Sequence, residues 1–390
     1  MHTQATSQNA LLVILKNTKY LAVAYVFFTM NVLVGTWAIY IPTIKEALAI
    51  NEGEIGFAIF FMAMGTLTML FTAPLIINKI GVGKSTAFGC ILLLLSMLIP
   101  FVATTYYMLC FGLYLAGVTL GFTDISMNTI VTELEKKEKV HIMSANHGFF
   151  SLGGMAGAGI GTFFVPYVEN PLYHALVVVA VFMLVHLLLM QKYLKVVSDE
   201  VEQMNFRFKN LKPLILFGII GFFVMASEGA IVDWSALYLE KVSKSPEALI
   251  GLGFTAFSLT MALGRFVGDA VSMRFGSKSI MIYGSALGAL GFALVLLETT
   301  IIAIIGFGLV GLGLSIIVPE LFRLGGRTEG IESSKGVSFI AGSGYIGFLL
   351  GPVFLGFLAN ISSLKLSFIA LLFFVLIAFI GSLGVKTSKS

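Results

Sequence analysis

Apolar stretches long enough to cross a membrane follow one another along the whole chain. A helix needs roughly 20 mostly apolar residues to span a bilayer, and a segment within lipid must satisfy its own backbone hydrogen bonds, which favours helices. The sequence therefore predicts an all-α membrane protein with twelve transmembrane helices. The predicted spans are residues 20–42, 54–78, 85–104, 106–131, 142–166, 171–191, 213–239, 248–273, 279–298, 300–322, 336–359 and 365–385.

The scarcity of charge excludes a soluble protein. Charged residues make up 11% of the chain, whereas soluble domains contain about 25%, so this chain cannot cover a globule with polar surface. The formal net charge of +4 is too small to indicate a nucleic-acid partner. We expect a multi-pass protein of a bacterial inner membrane whose partners are the lipid bilayer and a small-molecule solute.

The positions of lysine and arginine predict the orientation of the spans. With the N-terminus inside, 19 of the 24 basic residues fall in cytoplasmic segments, and only four fall in outer loops. This bias is the one expected from the positive-inside rule. Because removal of one whole span would scramble the bias, the charges also favour an even number of spans. Both termini are predicted to be cytoplasmic.

The two halves of the chain repeat each other. At an offset of 195, residues 79–81 (Lys-Ile-Gly) correspond to residues 274–276 (Arg-Phe-Gly), and at an offset of 197 Trp37 corresponds to Trp234. Transporters built from such repeats hold their solute near the midplane between the repeats. The sequence predicts two pseudo-symmetric six-helix bundles. The predicted domains are an N-terminal bundle at 1–191, a cytoplasmic linker at 192–212 and a C-terminal bundle at 213–390.

Several motifs resemble those of the major facilitator superfamily. Residues 264–278 resemble its cytoplasmic gating motif, a glycine and an acid followed by Arg-x-Gly-x-basic, although Met273 stands where an aspartate is usual. Residues 78–84 are a more degenerate copy. Residues 143–154 and 228–235 are similar to the fucose-permease-related branch. The resemblance implies the major facilitator fold and proton-coupled sugar uptake.

Two ionisable residues in neighbouring spans are candidates for proton coupling. Charged groups within a span are costly and therefore indicate function. Asp124 shares a helix face with Asn128, and antiparallel spans place Asp124 and His147 at a similar depth. An imidazole titrates near neutral pH and responds to a nearby carboxylate. Asp124 and His147 are interpreted as the groups that carry a coupling proton; the alternative is a static pair or an inner gate.

Span 7 supplies the predicted solute site. Glu228 lies near the midplane and corresponds to Asn31 by the repeat, and an acid facing an amide suits the binding of hydroxyl groups. Trp37 and Trp234 could supply apolar faces for a sugar ring, or instead could form an interfacial belt. Asp233 is either part of this site or an outer-end residue that meets water. Glu228 is also a candidate for proton coupling.

Charges on span 8 predict an inner gate. Arg265 and Asp269 are four residues apart, a spacing at which opposite charges can pair along one helix. Together with Arg274 they are interpreted as gating residues. Glu320, at the inner end of span 10, is expected to approach Arg323.

Several other classes of protein lack support in the sequence. Residues 83–85 (Gly-Lys-Ser) resemble the end of a phosphate-binding loop, but Asn78 occupies the position at which the first glycine of that loop is required. The sequence contains no Cys/His cluster with metal-ligand spacing and no set of residues that suggests acyl transfer. We therefore predict no enzyme activity, no metal and no cofactor, and transport driven by a gradient.

The predicted function is a monomeric, proton-coupled symporter for a sugar or related small polar solute, working by alternating access. The alternative is a proton-driven antiporter that exports drugs or metabolites; a Phe-lined cavity would favour it. Sodium is an alternative coupling ion, because carboxylate and amide oxygens suit it equally. The identity of the solute and the direction of transport are not specified by the sequence.

Overall fold

The computed structural model describes residues 10–50, 52–164, 167–198, 208–246, 249 and 251–385, and every regular element in this part is helical. Short 3₁₀ segments lie at Ile99–Val102, Met190–Lys192 and Phe208–Leu214. The α-helices are α1 Ala10–Lys16, α2 Thr18–Ala47, α3 Glu52–Ile80, α4 Val82–Ser96, α5 Tyr106–Glu138, α6 Met143–Phe164, α7 Pro171–Leu189, α8 Ile215–Lys241, α9 Leu252–Val295, α10 Thr300–Leu314, α11 Ile317–Gly326, α12 Ser333–Ile361 and α13 Leu364–Leu383.

Ten helical segments of the described chain are long and apolar enough to cross a membrane. This confirms the predicted all-α, multi-pass membrane protein. Helix α6 is not among the ten, since glycines and polar residues dilute its apolar character. Helix α9 counts once although it has 44 residues. A continuous helix of that length would measure about 66 Å at 1.5 Å per residue, roughly twice the thickness of the hydrocarbon layer.

Two glycines at corresponding positions break the helices in the same way. Gly81 separates α3 from α4 with φ 90° and ψ 146°, and Gly276 interrupts α9 with φ 77° and ψ 154°. Residues with a side chain rarely adopt this backbone conformation, whereas glycine adopts it readily. The two positions are 195 residues apart, the offset that the sequence predicts for the repeat.

Close helix pairs also recur in the two halves. A Cβ atom on Gly153 of α6 would collide with the carbonyl oxygen of Phe28 on α2, and one on Gly347 of α12 would collide with that of Phe222 on α8. Small residues allow this approach between helices in lipid, where packing rather than the hydrophobic effect drives association. The contacts advance in the same direction along both helices, so each half of the chain contains a parallel helix pair held together by small residues.

Polar contacts between the two halves gather at the ends of the helices that are predicted to face the cytoplasm. They join α3, α5 and α6 to α9, α11 and α12. Examples are the Ser338 hydroxyl, which donates to the carbonyl of Leu70, and Lys136, which donates to the Ser333 hydroxyl. Residues 199–207 of the predicted linker lie outside the described residues.

Candidate functional site

An arginine on α9 links an acid on α8 to the other half of the chain. The Arg265 Nη2 atom lies 3.5 Å from Oε2 of Glu228. Its Nη1 atom donates to the Ser151 hydroxyl of α6 at 2.6 Å, and its Nε atom donates to the carbonyl of Ser315 at 3.3 Å. Arg265 is buried and Glu228 is largely buried. The guanidinium thus fixes the position of the Glu228 carboxylate at the contact between the halves. We call this group of Glu228, Arg265 and Ser151 the central cluster.

One oxygen of Glu228 has no hydrogen-bond partner among the residues that the structure describes. Its Oε1 atom is buried, and no donor within the described residues reaches it. Leaving a buried acceptor unsatisfied costs about 1–3 kcal/mol, and more for a charged group. A bound proton or a hydrogen-bond donor of a solute would remove this cost. The carboxylate therefore has one oxygen that contacts Arg265 and one that can accept a proton or a hydrogen bond.

Asn31 lies next to the central cluster rather than opposite it. Its Nδ2 atom donates to the carbonyl of Phe150 on α6 at 2.9 Å, one residue before Ser151. A Cβ on Gly154 would lie 2.5 Å from the same amide nitrogen, so that glycine makes room for Asn31. Asn31 of α2 and Glu228 of α8 are brought together indirectly, through α6 and Arg265.

The structure places the two tryptophans away from the central cluster. Trp37 is only 2% exposed and packs edge-on against Phe101, with ring centroids 5.9 Å apart. Trp234 lies beside Gly356 of α12 and lines a cavity at the far end of α8. The side chain of Asp233 is outside the described part of the structure. The predicted contact of these three residues with a solute remains a prediction.

Asp124 and His147 are joined through a third residue. The Asn128 Nδ2 atom donates to Oδ1 of Asp124 at 3.2 Å and to the Asp124 carbonyl at 2.9 Å, while its Oδ1 atom lies 3.0 Å from Nε2 of His147. Because the amide nitrogen is used by Asp124, the amide oxygen must accept from His147, whose Nε2 atom therefore carries a proton. The sequence places Asn128 on the face of Asp124, but gives no sign that it forms this bridge.

Residues of the C-terminal half cover both ends of this chain of hydrogen bonds. The Tyr345 hydroxyl of α12 lies beside the Asp124 carboxylate. The Phe322 ring of α11 stacks on His147, with centroids 5.6 Å apart. Neither residue could be assigned to the site from the sequence, since the contacts depend on how the halves meet. Asp124 and His147 thus both lie at the contact between the halves.

A second cluster of charges lies at the end of the helices that is predicted to face the cytoplasm. We call it the inner ion cluster. The Arg323 guanidinium contacts three carboxylates, and Arg327 contacts one of the same three at 2.8 Å. All of its members except Arg327 are buried. The members are Glu135 of α5, Asp269 of α9, Glu320 and Arg323 of α11, and Arg327.

Two carboxylates of the inner ion cluster also cap α6. Glu135 accepts the backbone N–H groups of Ile142 and Met143 at 2.7 and 2.8 Å. Asp269, from the other half of the chain, accepts those of Ser144 and Ala145 at 3.1 and 2.8 Å. The N–H groups at a helix start have no partner within the helix, and the helix dipole favours negative charge there. Each half of the chain therefore supplies acceptors for two of the free N–H groups at the start of α6.

The predicted pairing of Arg265 with Asp269 is wrong. Arg265 pairs with Glu228, and Asp269 pairs with Arg323. A spacing of four residues only permits a weak pair on a helix surface. Here each group is buried and has partners on other helices, which offer several hydrogen bonds instead of one.

Arg274 lies outside the inner ion cluster. It is exposed, and its guanidinium lies 5.3 Å from the centre of the Phe275 ring. The sequence predicts Arg274 as a gating residue, but it gives no such indication for Glu135, Arg323 or Arg327. The expected approach of Glu320 to Arg323 is confirmed.

His141, in the loop before α6, adds no further positive charge to this end. Burial and the nearby guanidinium of Arg323 lower the pKa of His141 below its usual value of 6.5, so the imidazole is neutral at pH 7. Within the described ranges no three His, Cys, Asp or Glu side chains are arranged to hold a metal ion.

Known proteins match the chain over most of its length. The profile of the Major Facilitator Superfamily matches residues 21–246 and 216–389. Membrane protein MosC of Rhizobium meliloti is 30% identical over 351 residues, covering 87% of this chain and 83% of MosC. The glucose/mannose transporter GlcP of Bacillus subtilis is 23% identical over 319 residues, with coverage of 76% and 77%.

Solved structures share the fold. The E. coli fucose:proton symporter FucP superposes with a TM-score of 0.81 at 16% identity, covering 98% of this chain and 100% of FucP. A structure of FucP in the outward conformation gives a TM-score of 0.80 over 95% of this chain. At this level of identity the likeness shows the fold alone.

Proposed function

Because the chain belongs to the Major Facilitator Superfamily, we propose that it is a secondary active transporter that moves a small polar solute by proton-coupled alternating access. The observation that carries the proposal is the central cluster. A carboxylate with one unsatisfied oxygen is held by a buried arginine where the two halves of the chain meet. Such a group can exchange a proton or a solute when the halves move.

The proposed architecture has twelve crossings in two bundles. Ten candidate spans become twelve if α9 crosses twice, turning at Gly276, and if α6 crosses once. Gly81, at the corresponding place in the first half, already separates two helices. The proposed bundles are residues 1–191 and 213–390, joined by the linker at 192–212, with both termini in the cytoplasm of a bacterial cell.

The proposed solute is a sugar or a related polyhydroxylated metabolite. The Glu228 oxygen can accept a hydrogen bond from a hydroxyl group. The names of GlcP and FucP, a glucose/mannose transporter and a fucose:proton symporter, agree with this class. The test is uptake of labelled glucose, mannose and fucose into proteoliposomes under an imposed pH gradient. Saturable uptake that a protonophore abolishes is expected; gradient-driven extrusion of these solutes would favour the antiporter.

In the proposed mechanism the inner ion cluster holds the inner end closed while the central cluster is loaded from outside. Opening the inner end separates Asp269 from the start of α6 and Arg323 from Glu135. Asp124 loses Tyr345 in the same movement, because they lie on opposite halves. Proton transfer at Asp124 is thereby tied to the change in access.

Replacement of Asp124 by asparagine is expected to uncouple solute movement from the proton. The new amide side chain would still fit between Asn128 and Tyr345, but it could not exchange a proton. The measurement is alkalinisation of the medium when solute is added to lightly buffered cells. It should disappear in Asp124→Asn and persist in Glu133→Gln, a control acid on the same helix. Unchanged alkalinisation in Asp124→Asn would reject the role of Asp124.

Replacement of Arg265 by lysine is expected to lower turnover more than affinity. A lysine keeps the charge but cannot contact Glu228, Ser151 and Ser315 at the same time. The contact between the halves would then form less well in each cycle. Uptake kinetics should show kcat falling by about tenfold, as for loss of one charge-assisted bond, with KM changed much less. A rise in KM alone would show that Arg265 serves only to bind the solute.

A further inference from the structure

Aromatic rings fill the end of the N-terminal half that is predicted to face outward. Trp37 and Tyr40 on α2 both meet the Phe101 ring edge-on, each with centroids 5.9 Å apart. The Tyr40 hydroxyl lies 3.0 Å from Nδ1 of His174 on α7. Trp37 and Tyr40 are almost completely buried. This end of the half is therefore closed by packed side chains.

The corresponding end of the C-terminal half is open. The matched close contacts of Gly153 with Phe28 and of Gly347 with Phe222 relate the two halves at an offset of 194. Trp37 therefore corresponds to Ile231 rather than to Trp234 as the sequence predicts, and Trp234 corresponds to Tyr40. The ring of Trp37 thus has no counterpart, and a cavity of about 670 Å³ lies at this end. That volume falls within the usual range of small-molecule sites, about 300–1,000 Å³. We call it the outer cavity; its lining includes Trp234, Leu237, Lys241, Glu298, Asn360 and Lys365.

Trp234 gives the outer cavity a flat apolar wall with an unused donor. The indole is half-buried, and within the described chain its Nε1 atom has no hydrogen-bond acceptor. A buried indole N–H usually finds a partner. In the N-terminal half the Tyr40 ring, at the position that corresponds to Trp234, packs against the Phe101 ring. The space beside Trp234 thus suits a ring supplied by a ligand.

The charges around the outer cavity leave one cation in excess. Lys365 pairs with Glu298 at 2.5 Å, whereas Lys241 forms no ion pair with any acid that the structure describes. Glu298 has φ 62°, in the left-handed region that residues with a side chain seldom adopt. Strained backbone of this kind is often kept where a side chain must point into a site. One negative charge on a ligand would balance the excess positive charge of the residues that line the outer cavity.

We propose that the outer cavity binds a small ring compound that carries one carboxylate. The ring would lie against the Trp234 indole, as the Phe101 ring lies against Tyr40 in the other half, and the carboxylate would face Lys241. The site lies on a single half of the chain. It is therefore separate from the central cluster, and the proposal does not rest on the proposed transport function.

The two tryptophans of the chain allow a direct test. In a Trp37→Phe variant in phosphatidylcholine nanodiscs, Trp234 is the only indole. Titration with benzoate or glucuronate should change its fluorescence saturably, while benzyl alcohol and glucose should act at least about tenfold more weakly, the effect expected for loss of a charge-assisted bond. Inorganic phosphate, which has no ring, should also bind weakly.

Matched variants separate a real site from a general effect. Lys241→Gln should weaken benzoate binding by about tenfold, whereas Lys244→Gln, an exposed lysine that does not line the cavity, should leave it unchanged. A Trp234→Phe variant, in which Trp37 is the reporter, should show no response. Glu228→Gln should retain the Trp234 signal even if transport is lost. Absence of a saturable signal, or a signal that Lys241→Gln does not weaken, would overturn the proposal.

Discussion

Replacing Glu228 with glutamine is expected to reduce transport by about 100-fold while the protein still folds and reaches the membrane. The carboxylate makes a charge-assisted contact with Arg265 and leaves one buried oxygen open. Glutamine can neither exchange a proton nor balance the guanidinium. Charge-assisted hydrogen bonds contribute roughly 1.5–3 kcal/mol, and each 1.4 kcal/mol corresponds to about tenfold in rate.

The measurement is initial uptake of labelled sugar, normalised to the amount of protein in the membrane. Glu240→Gln is the matched control, because Glu240 lies on the same helix and is exposed. It should transport normally. Near-normal uptake by Glu228→Gln would remove Glu228 from the site and leave the central cluster as a structural contact.

Replacing Arg323 with glutamine is expected to destabilise the protein and to release the closed inner end. Arg323 is the cation shared by Glu135, Asp269 and Glu320, all of them buried. Removing one partner of a buried ion pair costs about 3–5 kcal/mol, because it leaves charge uncompensated. The apparent melting temperature should fall on the order of 10 °C.

Arg327→Gln is the control for this prediction. Arg327 contacts only one of the three acids, and its side chain is 32% exposed, so its loss should cost about 1 kcal/mol or less. Adding Glu135→Gln to Arg323→Gln should recover part of the stability, since it removes one uncompensated charge. Equal melting temperatures for the Arg323 and Arg327 variants would show that the inner ion cluster does not hold the structure together.

The fold could be predicted from the sequence because the membrane limits the choices. A single segment in lipid satisfies its own backbone hydrogen bonds only as a helix, so the lengths of the apolar stretches predict the multi-pass helical architecture that the structure shows. The repeat was visible because Gly81 and Gly276 are needed for one unusual backbone conformation, which no other residue adopts easily.

The site was only partly predictable, since periodicity reports on one helix at a time. Asp124 and Asn128 could be placed on one face because they are four residues apart. The contact between Glu135 and Arg323 joins residues 188 positions apart in the chain, and no local pattern specifies it. The same limit explains why Arg265 was paired with Asp269, its neighbour along α9, and not with Glu228 on α8.

The proposed transport cycle requires that the central cluster lie in a pocket shared by both halves and that the inner ion cluster shut this pocket from the cytoplasm. A cysteine at Ser151, which contacts Arg265, tests this in a background where Cys90 and Cys110 are replaced by alanine. The measurement is its modification by a membrane-impermeant thiol reagent, applied from either side of the membrane. Modification should occur from the outer side, and should extend to the inner side when Arg323→Gln is added. Equal modification from the inner side with and without Arg323, or none from either side, would contradict the account.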